Sequence, residues 1–432
     1  MVKQEIKKDS ALTGFLYSHV FISLMYAAYS LFSLFDGKAR RGFKGRGELF
    51  GRLKENLARV PEGRRIWFHA SSLGEFEQAK PIIEILKKSG YQVIASFFSP
   101  SGYEYSRNYP YADVITYLPI DTPANARRFI YLVKPNVAVI MRYDLWMNHL
   151  KEARKWGTKI VLADATFPMK VFQRAKFLRN FYRRLYSLPH EILTTTMEHK
   201  KMFDFFLGSE VSTVVGDTRF DRVYNRSVSN NMGKTLPFSI DKARRTVLIL
   251  GSVWHKDIEI VAGGLKRMLQ KLQSLSVLIV PHEPTTEEVG RIREEFPEAK
   301  LLSELRDDDG SSFSALIVDK VGILTQLYVL ADIAYVGGGF GAGVHSVLEP
   351  AVYGVPIITG PRIERSDEAV RLLETGGLFY VKDQAGAYRV LHRMVVDDTA
   401  RRRAGTIAKT FVDERLGASE TVAARVRQLC DG

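Results

Sequence analysis

The feature that most limits what this chain can fold into is an alternation that occurs twice. Short, almost unbroken apolar runs take turns with segments of helical period. The first set of runs is IWFHA (66–70), QVIASFF (92–98), VITYLP (114–119), VAVIM (137–141), KIVLADA (159–165), EILTTT (191–196) and VSTVVG (211–216). Runs this apolar suit parallel strands covered by helices on both faces, whereas a half-exposed sheet would alternate apolar and polar positions. The intervening segments, such as FEQAKPIIEILKKSG ending at Gly90, have helical period and a glycine stop. A polar stretch rich in Ser, Asn and Gly (223–245) reads as a linker. The pattern then restarts with VLILGS (247–252), VLIVP (277–281), SALIVD (314–319), IAYVGG (333–338), PIITG (356–360) and LFYVK (378–382).

Two doubly wound, Rossmann-like parallel-sheet α/β domains follow, with an interdomain cleft and ligands at the carboxyl ends of the strands. The expected division is residues 1–35 as an N-terminal anchor, 36–222 as a first α/β domain, 223–245 as linker, and 246–432 as a second α/β domain that includes the C-terminal helices. A chain of 432 residues has room for this.

The anchor rests on residues 11–35, a run of 25 without a charged side chain. About 20 apolar residues in a helix cross the hydrocarbon core. His19 and several Ser and Tyr dilute this one, so it either spans a membrane or lies on its surface. Three Lys precede it (Lys3, Lys7, Lys8) and seven Lys/Arg lie between Lys38 and Lys54, which places the bulk of the chain on the cytoplasmic side. The net charge of +14 is concentrated. Residues 36–65 hold ten Lys/Arg against four acids, and residues 165–190 hold six and no acid. Such clusters expect an anionic partner: a membrane surface, a phosphorylated substrate or nucleic acid. The segment VFQRAKFLRNFYRRLY (171–186) interleaves aromatics with cations, the composition of an interfacial helix, and Arg179, Arg183 and Arg184 are expected to meet headgroups or other phosphates.

Chemistry is expected at the strand ends. HASSLGEFEQAKP (69–81) carries Ser-Ser-Leu-Gly into a helix whose first turn holds Glu75. An acid there complements the exposed N–H groups of the helix start. At a strand's carboxyl end it also serves as a base for a sugar hydroxyl. In the second half, GGGFGAGVHSVLEP (337–350) follows a strand and is expected to lead into a helix near His345, its glycines admitting a phosphate to backbone N–H groups. Glu349, one turn inside that helix, would receive ribose hydroxyls. The spacing is not that of a nicotinamide fold. Gly251-Ser252, ahead of Trp254 and His255, and Pro281-His282-Glu283-Pro284 end strands on the same edge.

One cysteine, Cys430, excludes disulfides and cysteine metal sites. The nine histidines lack the i, i+4 pairing of a helical zinc motif, and Asp307-Asp308-Asp309 reads as a solvated turn, so neither metal nor cofactor is expected.

Together HASSLGE (69–75), GDTRFDR (216–222), GSVWHKDIE (251–259), PHEP (281–284), DKVGIL (319–324) and HSVLEPA (345–351) resemble the 3-deoxy-D-manno-octulosonic acid (Kdo) transferases, lipid A glycosyltransferases of GT-B fold. The resemblance implies transfer of Kdo from CMP-Kdo to a lipid A precursor of the lipid IVA type, with inversion, at the cytoplasmic face of the bacterial inner membrane. It places the general base on Glu75 and a charge-stabilising cation on Arg219. Its CMP contacts fall on His282 and Glu283, on Val321, Gly322 and Ile323, and on Ser346, Val347, Leu348 and Glu349. Departures are visible. Gly343-Val344-His345-Ser346 stands for Gly-Gly-His-Asn, His282-Glu283 for Arg-His, and Arg142-Tyr143-Asp144-Leu145-Trp146 for acidic-x-acidic-x-Trp, so no role passes to Arg142. The competing readings are another GT-B enzyme using a UDP-sugar, as a transferase or an epimerase, and a basic nucleic-acid-binding protein. The anchor and the lack of a nucleic-acid module oppose the last.

Overall fold

A computed structural model of the chain describes residues 14–169, 178–231, 236, 238–305 and 313–432. Each of the thirteen apolar runs contains a strand. The first unit has β1 (Arg65–Ala70), β2 (Gln92–Phe97), β3 (Val114–Tyr117), β4 (Val137–Met141), β5 (Lys159–Ala165), β6 (Glu191–Thr194) and β7 (Ser212–Val214). All run parallel, in the order β3-β2-β1-β4-β5-β6-β7. The second unit has β8 (Thr246–Val253), β9 (Leu275–Pro281), β10 (Lys300–Leu301), β11 (Ala315–Ile317), β12 (Ile333–Val336), β13 (Ile357–Thr359) and β14 (Leu378–Tyr380), ordered β10-β11-β9-β8-β12-β13-β14. Only β10 escaped the sequence pattern, because two residues at a sheet edge leave no apolar run.

Both faces of each sheet are dry. On β1, Ile66 and Phe68 enter one apolar cluster and Trp67 the other. That is why these strands read as continuous rather than alternating. In both sheets the chain order reverses beside the first strand, between β1 and β4 and between β8 and β12. Doubly wound sheets bind ligands outside the carboxyl ends at such a switch point.

The domain boundaries differ from those expected on two counts. Residues 232–235 and 237 of the stretch 223–245 lie outside the described residues; of the rest, one helix runs Thr218–Asn231, and the second unit begins within it at Val223. Further on, Ile240 is buried, Phe238 packs edge-on against Phe313, and Arg245 bonds to Ser276 and to the carbonyls of Phe313 and Gln273. Ser and Asn disguised a segment held by a few large side chains. The second difference is at the C-terminus, where Gly417–Gly432 belongs to the first unit. Val422, Ala423, Val426 and Cys430 form the apolar stripe of the last helix, Ala418–Asp431, and complete a cluster over β1 and β2. Asp221 accepts hydrogen bonds from the N–H groups of Gly417 and Ser419 at that helix's start, and Arg425 pairs with Glu191.

The apolar N-terminal helix, Leu16–Phe35, is long and apolar enough to cross a membrane. One side of it is docked on the first unit. The Tyr17 hydroxyl donates to Asp121 (2.7 Å), the Ser18 hydroxyl donates to Asn148 (2.8 Å), and Ile22 is fully buried. The other side leaves Phe21, Leu24, Leu31, Phe32, Leu34 and Phe35 exposed. Asp36 ends this helix in an extended conformation and caps the next, Gly37–Gly47, by accepting from Ala39 N–H.

Of the aromatic-basic segment, residues 170–177 lie outside the described residues, as do Asp307, Asp308 and Asp309. The remainder forms the helix Arg179–Tyr186, with Leu185 and Tyr186 buried and Phe181 against Tyr17. Its aromatics therefore serve the core. Arg183 Nε donates to the Phe206 carbonyl at 2.9 Å, and both Arg179 and Arg183 are exposed.

Candidate active site

At the switch point of the first sheet, β1 ends in His69-Ala70 and the turn Ser71-Ser72 opens the helix Leu73–Lys88. Ser72 caps the helix by accepting from Glu75 N–H (3.4 Å), and the Glu75 carboxylate reaches back to accept from Ser71 N–H (2.6 Å). Ser72 is the N-cap, and the carboxylate reaches one residue beyond it to brace the turn that precedes the helix. Glu75 as a whole is 6% exposed. Burial pushes its pKa above the usual carboxylate range. Ser71 N–H works against that, the Asp144 charge adds to the rise, and His69 opposes it. A partly desolvated carboxylate with a raised pKa is a better base than an exposed one.

Beside it lies a network that the sequence did not single out. His69 Nε2 is 2.8 Å from an Asp144 carboxylate oxygen, which only accepts, so Nε2 donates to it. His69 Nδ1 faces the Ser96 hydroxyl (2.9 Å), which also accepts from Trp67 Nε1–H (2.8 Å). Trp146 Nε1–H donates to Asp144 at 3.1 Å. These side chains come from the ends of β1, β2 and β4, which are adjacent only in the sheet. Asp144 and Trp146 stood in a quoted motif, but their partner His69 is 75 positions away from Asp144. Arg142, between β4 and Asp144, has a left-handed backbone (φ 62°). Asp164 at the end of β5 (φ 50°) and Ser252 at the end of β8 (φ 52°) share this conformation. It is costly for non-glycine residues and gathers at functional sites.

Arg219, at the start of the helix Thr218–Asn231, is held by Asp217 through Nε and a second nitrogen (2.9 and 2.7 Å). Next to them the Asp164 carboxylate, fully buried, accepts from the Thr218 N–H and hydroxyl. Burial and the Asp217 charge raise its pKa well above the carboxylate range. Arg222 ties the same helix to Glu77 at 2.6 Å.

At the switch point of the second sheet, Asp257 accepts from the N–H groups of Trp254 and Gly338 (both 2.9 Å) and from the Tyr335 hydroxyl (3.0 Å). One buried carboxylate thereby joins the end of β8 to the glycine turn after β12. That turn needs its glycines: a Cβ on Gly337 would sit 2.3 Å from the Ser252 carbonyl oxygen, and Gly338 has φ 92°. Above it, Trp254 Nε1–H donates to His345 Nε2 (3.0 Å), so His345 is neutral with its proton on Nδ1. The His282 ring lies 4.3 Å from His345, nearly parallel, and 4.5 Å from Trp254.

The expected helix start near His345 is corrected. The backbone there pairs instead, His345 N–H with the Gly337 carbonyl and Val344 N–H with that of Arg362, and only a single turn, Leu348–Ala351, follows. So short a turn is no helix N-terminal anion site, and Glu349 lies in its first turn. Glu349 is 4.0 Å from Arg226. Val347 and Leu348 are buried, backbone included, and so do not face a ligand, whereas Ser346, Glu283 and Val321 are exposed. Gly322 (φ 85°) turns the chain between Val321 and Ile323.

A family model for 3-deoxy-D-manno-octulosonic-acid transferases matches residues 44–222. A 3-deoxy-D-manno-octulosonic acid transferase of Chlamydophila psittaci is 30% identical over 322 residues, 72% of each chain. The chain belongs to the Kdo transferase family. It is thus a glycosyltransferase. A second family member, from Aquifex aeolicus, is 26% identical over 332 residues, covering 74% of this chain and 82% of its own. The fold is shared more widely. A UDP-GlcNAc 2-epimerase from Neisseria meningitidis superposes with a TM-score of 0.62 at 13% identity, over 84% of this chain and all of the other.

Proposed function

We propose that the chain transfers Kdo, with inversion, from CMP-Kdo to a lipid A precursor of the lipid IVA type, with Glu75 as general base. The observation that carries this reading is the desolvated Glu75 carboxylate at the switch point of the first sheet, beside the negative Asp144. Glu75 removes the proton of the acceptor hydroxyl as its oxygen attacks the anomeric carbon from the side opposite CMP. The CMP leaves as a phosphomonoester. Arg219, oriented by Asp217, offsets negative charge that develops in the transition state.

The edge of the second sheet holds the donor in this reading. His282, Glu283 and Ser346 line it, the turn Val321-Gly322-Ile323 offers polar atoms, and Glu349 takes ribose hydroxyls. Transfer proceeds without a metal ion, and full activity in excess EDTA is the expected result. The docked N-terminal helix lies at the cytoplasmic face of the inner membrane with its exposed apolar side in the lipid. Its seating on the first unit favours this over a span, since crossing would break the Tyr17 and Ser18 bonds.

The test is CMP release from CMP-Kdo with a tetraacyl lipid A precursor, comparing wild type with Glu75→Ala. No release by the wild type removes the reading, and a near-normal rate in Glu75→Ala removes the base assignment. The UDP-sugar alternative predicts thermal stabilisation by UDP rather than CMP.

A further inference from the structure

The helix Gly37–Gly47 follows the apolar helix and reads as a basic connector. One of its cations does not face solvent. Arg46 donates to three carbonyl oxygens, those of Leu118 (2.9 Å), Phe98 (2.6 Å) and Gly42 (3.0 Å). Its guanidinium lies over the rings of Phe98 (4.8 Å) and Tyr117 (4.9 Å). Among the described residues no carboxylate pairs with it. A planar fork with five donors can tie several carbonyls at once, which an ammonium cannot.

The helix is also shaped for this seat. A Cβ on Gly45 would lie 2.4 Å from the Tyr117 ring, and one on Gly42 would lie 2.3 Å from the Tyr29 hydroxyl and 2.7 Å from Pro100. Glycine within a helix costs about 1 kcal/mol relative to alanine. Here it permits contact with the loops that leave β2 and β3 at their carboxyl ends.

Those loops lead to the site. The Phe98 ring stacks on Trp146, 5.0 Å between centroids and 22° apart. Trp146 donates to Asp144, and Asp144 accepts from His69. Phe98 is also two residues beyond Ser96, whose hydroxyl meets His69 from the other side. Arg46 therefore grips both routes by which His69 and Asp144 are held next to Glu75, one through a ring stack and one through the end of β2.

We infer that Arg46 is a positioning residue for the transfer reaction, so that the helix after the membrane segment is part of the acceptor edge and not only a tether. The inference rests on the proposed function, with the acceptor at Glu75. Without Arg46 the Phe98 and Leu118 carbonyls lose their donors, the Phe98–Trp146 stack loosens, and Asp144 loses its fixed orientation toward His69.

The test uses the full-length chain in detergent and measures kcat and acceptor KM at saturating CMP-Kdo, with CMP affinity and thermal stability alongside. Arg46→Met is expected to lower kcat about tenfold or more per folded molecule with CMP affinity unchanged, and Arg46→Lys to recover part of the loss. Trp146→Phe, which keeps the ring but removes the N–H, should lower kcat in the same way. The double variant should be little worse than the poorer single, since both act on one path. Gly45→Ala should lower kcat by pushing the helix off Tyr117, while Glu104→Gln, which breaks the exposed Arg41–Glu104 pair on the same helix, should not. If Arg46→Met does not fold, the cycle is run with Arg46→Lys. Wild-type kcat in the Arg46 and Gly45 variants, or effects of Arg46 and Trp146 that multiply, overturns the inference. A wild type that releases no CMP overturns the proposed function instead.

Discussion

Glu75 is asked to do two jobs, bracing the turn before its helix and accepting a proton, and two substitutions separate them. Gln at this position keeps an oxygen that can accept from Ser71 N–H, while Ala leaves that buried donor unpaired. That hydrogen bond to Ser71 is worth about 1 kcal/mol, a shift of about 2–4 °C for a unit of this size. Neither variant can take up the acceptor proton, so both should lose about 10²–10⁴-fold in kcat. The linkage sharpens the contrast. The folded pKa of Glu75 lies above its unfolded value, so the folded state holds the proton more tightly, and this group's contribution to stability falls as pH rises from near 4.5 through the folded pKa. Above that window the wild type carries an ionised, desolvated carboxylate that Glu75→Gln lacks. Glu75→Gln should therefore melt at or above the wild-type temperature at pH 8 while being nearly inactive, and Glu75→Ala should melt lower than Glu75→Gln. The assays are CMP release under saturating substrates and melting curves at pH 5 and pH 8. Glu75→Gln with kcat within threefold of wild type would refute the base assignment. Equal melting of the Gln and Ala variants would refute the bracing role.

Four further outcomes are expected. Because the Asp144 charge raises the Glu75 pKa, Asp144→Asn should move the acid limb of the kcat/KM profile to lower pH, and an unmoved limb would separate the two carboxylates. Trp254→Phe removes the N–H donated to His345 and should weaken CMP binding by about fivefold, near 1 kcal/mol, in calorimetric titrations; unchanged affinity would take this pair out of the donor site. Asp221→Ala leaves the Gly417 and Ser419 N–H groups unpaired. It should cost about 1–3 kcal/mol and expose the C-terminal helix to limited proteolysis, and wild-type resistance would count against the cap. Leu24→Glu with Phe32→Glu, both on the exposed side of the N-terminal helix, should abolish flotation with anionic vesicles and spare CMP binding, whereas retained flotation would move the lipid contact elsewhere.

What the sequence determined by itself was the layering. Parallel strands buried on both faces must be apolar throughout, and that demand is local, so thirteen of the fourteen strands among the described residues could be read as runs. Turn chemistry was equally local. Ser72 and Glu75 are three residues apart, and the glycines at 337 and 338 answer to their own backbone and one neighbouring strand.

The tertiary structure alone decided everything that depends on which strands lie side by side. His69, Ser96 and Asp144 meet because β1 sits between β2 and β4, an order that no single segment encodes. The last helix returned to the first unit because its stripe of Val422, Ala423 and Val426 matched a cluster there and Asp221 could cap it, a choice made over nearly 200 residues of separation. The charge shows the same division. Composition marked residues 36–65 as a basic surface, and most of its cations remain one. Arg46 does not: it is drawn inward because three carbonyls and aromatic rings converge on it, and only folding brings those groups together.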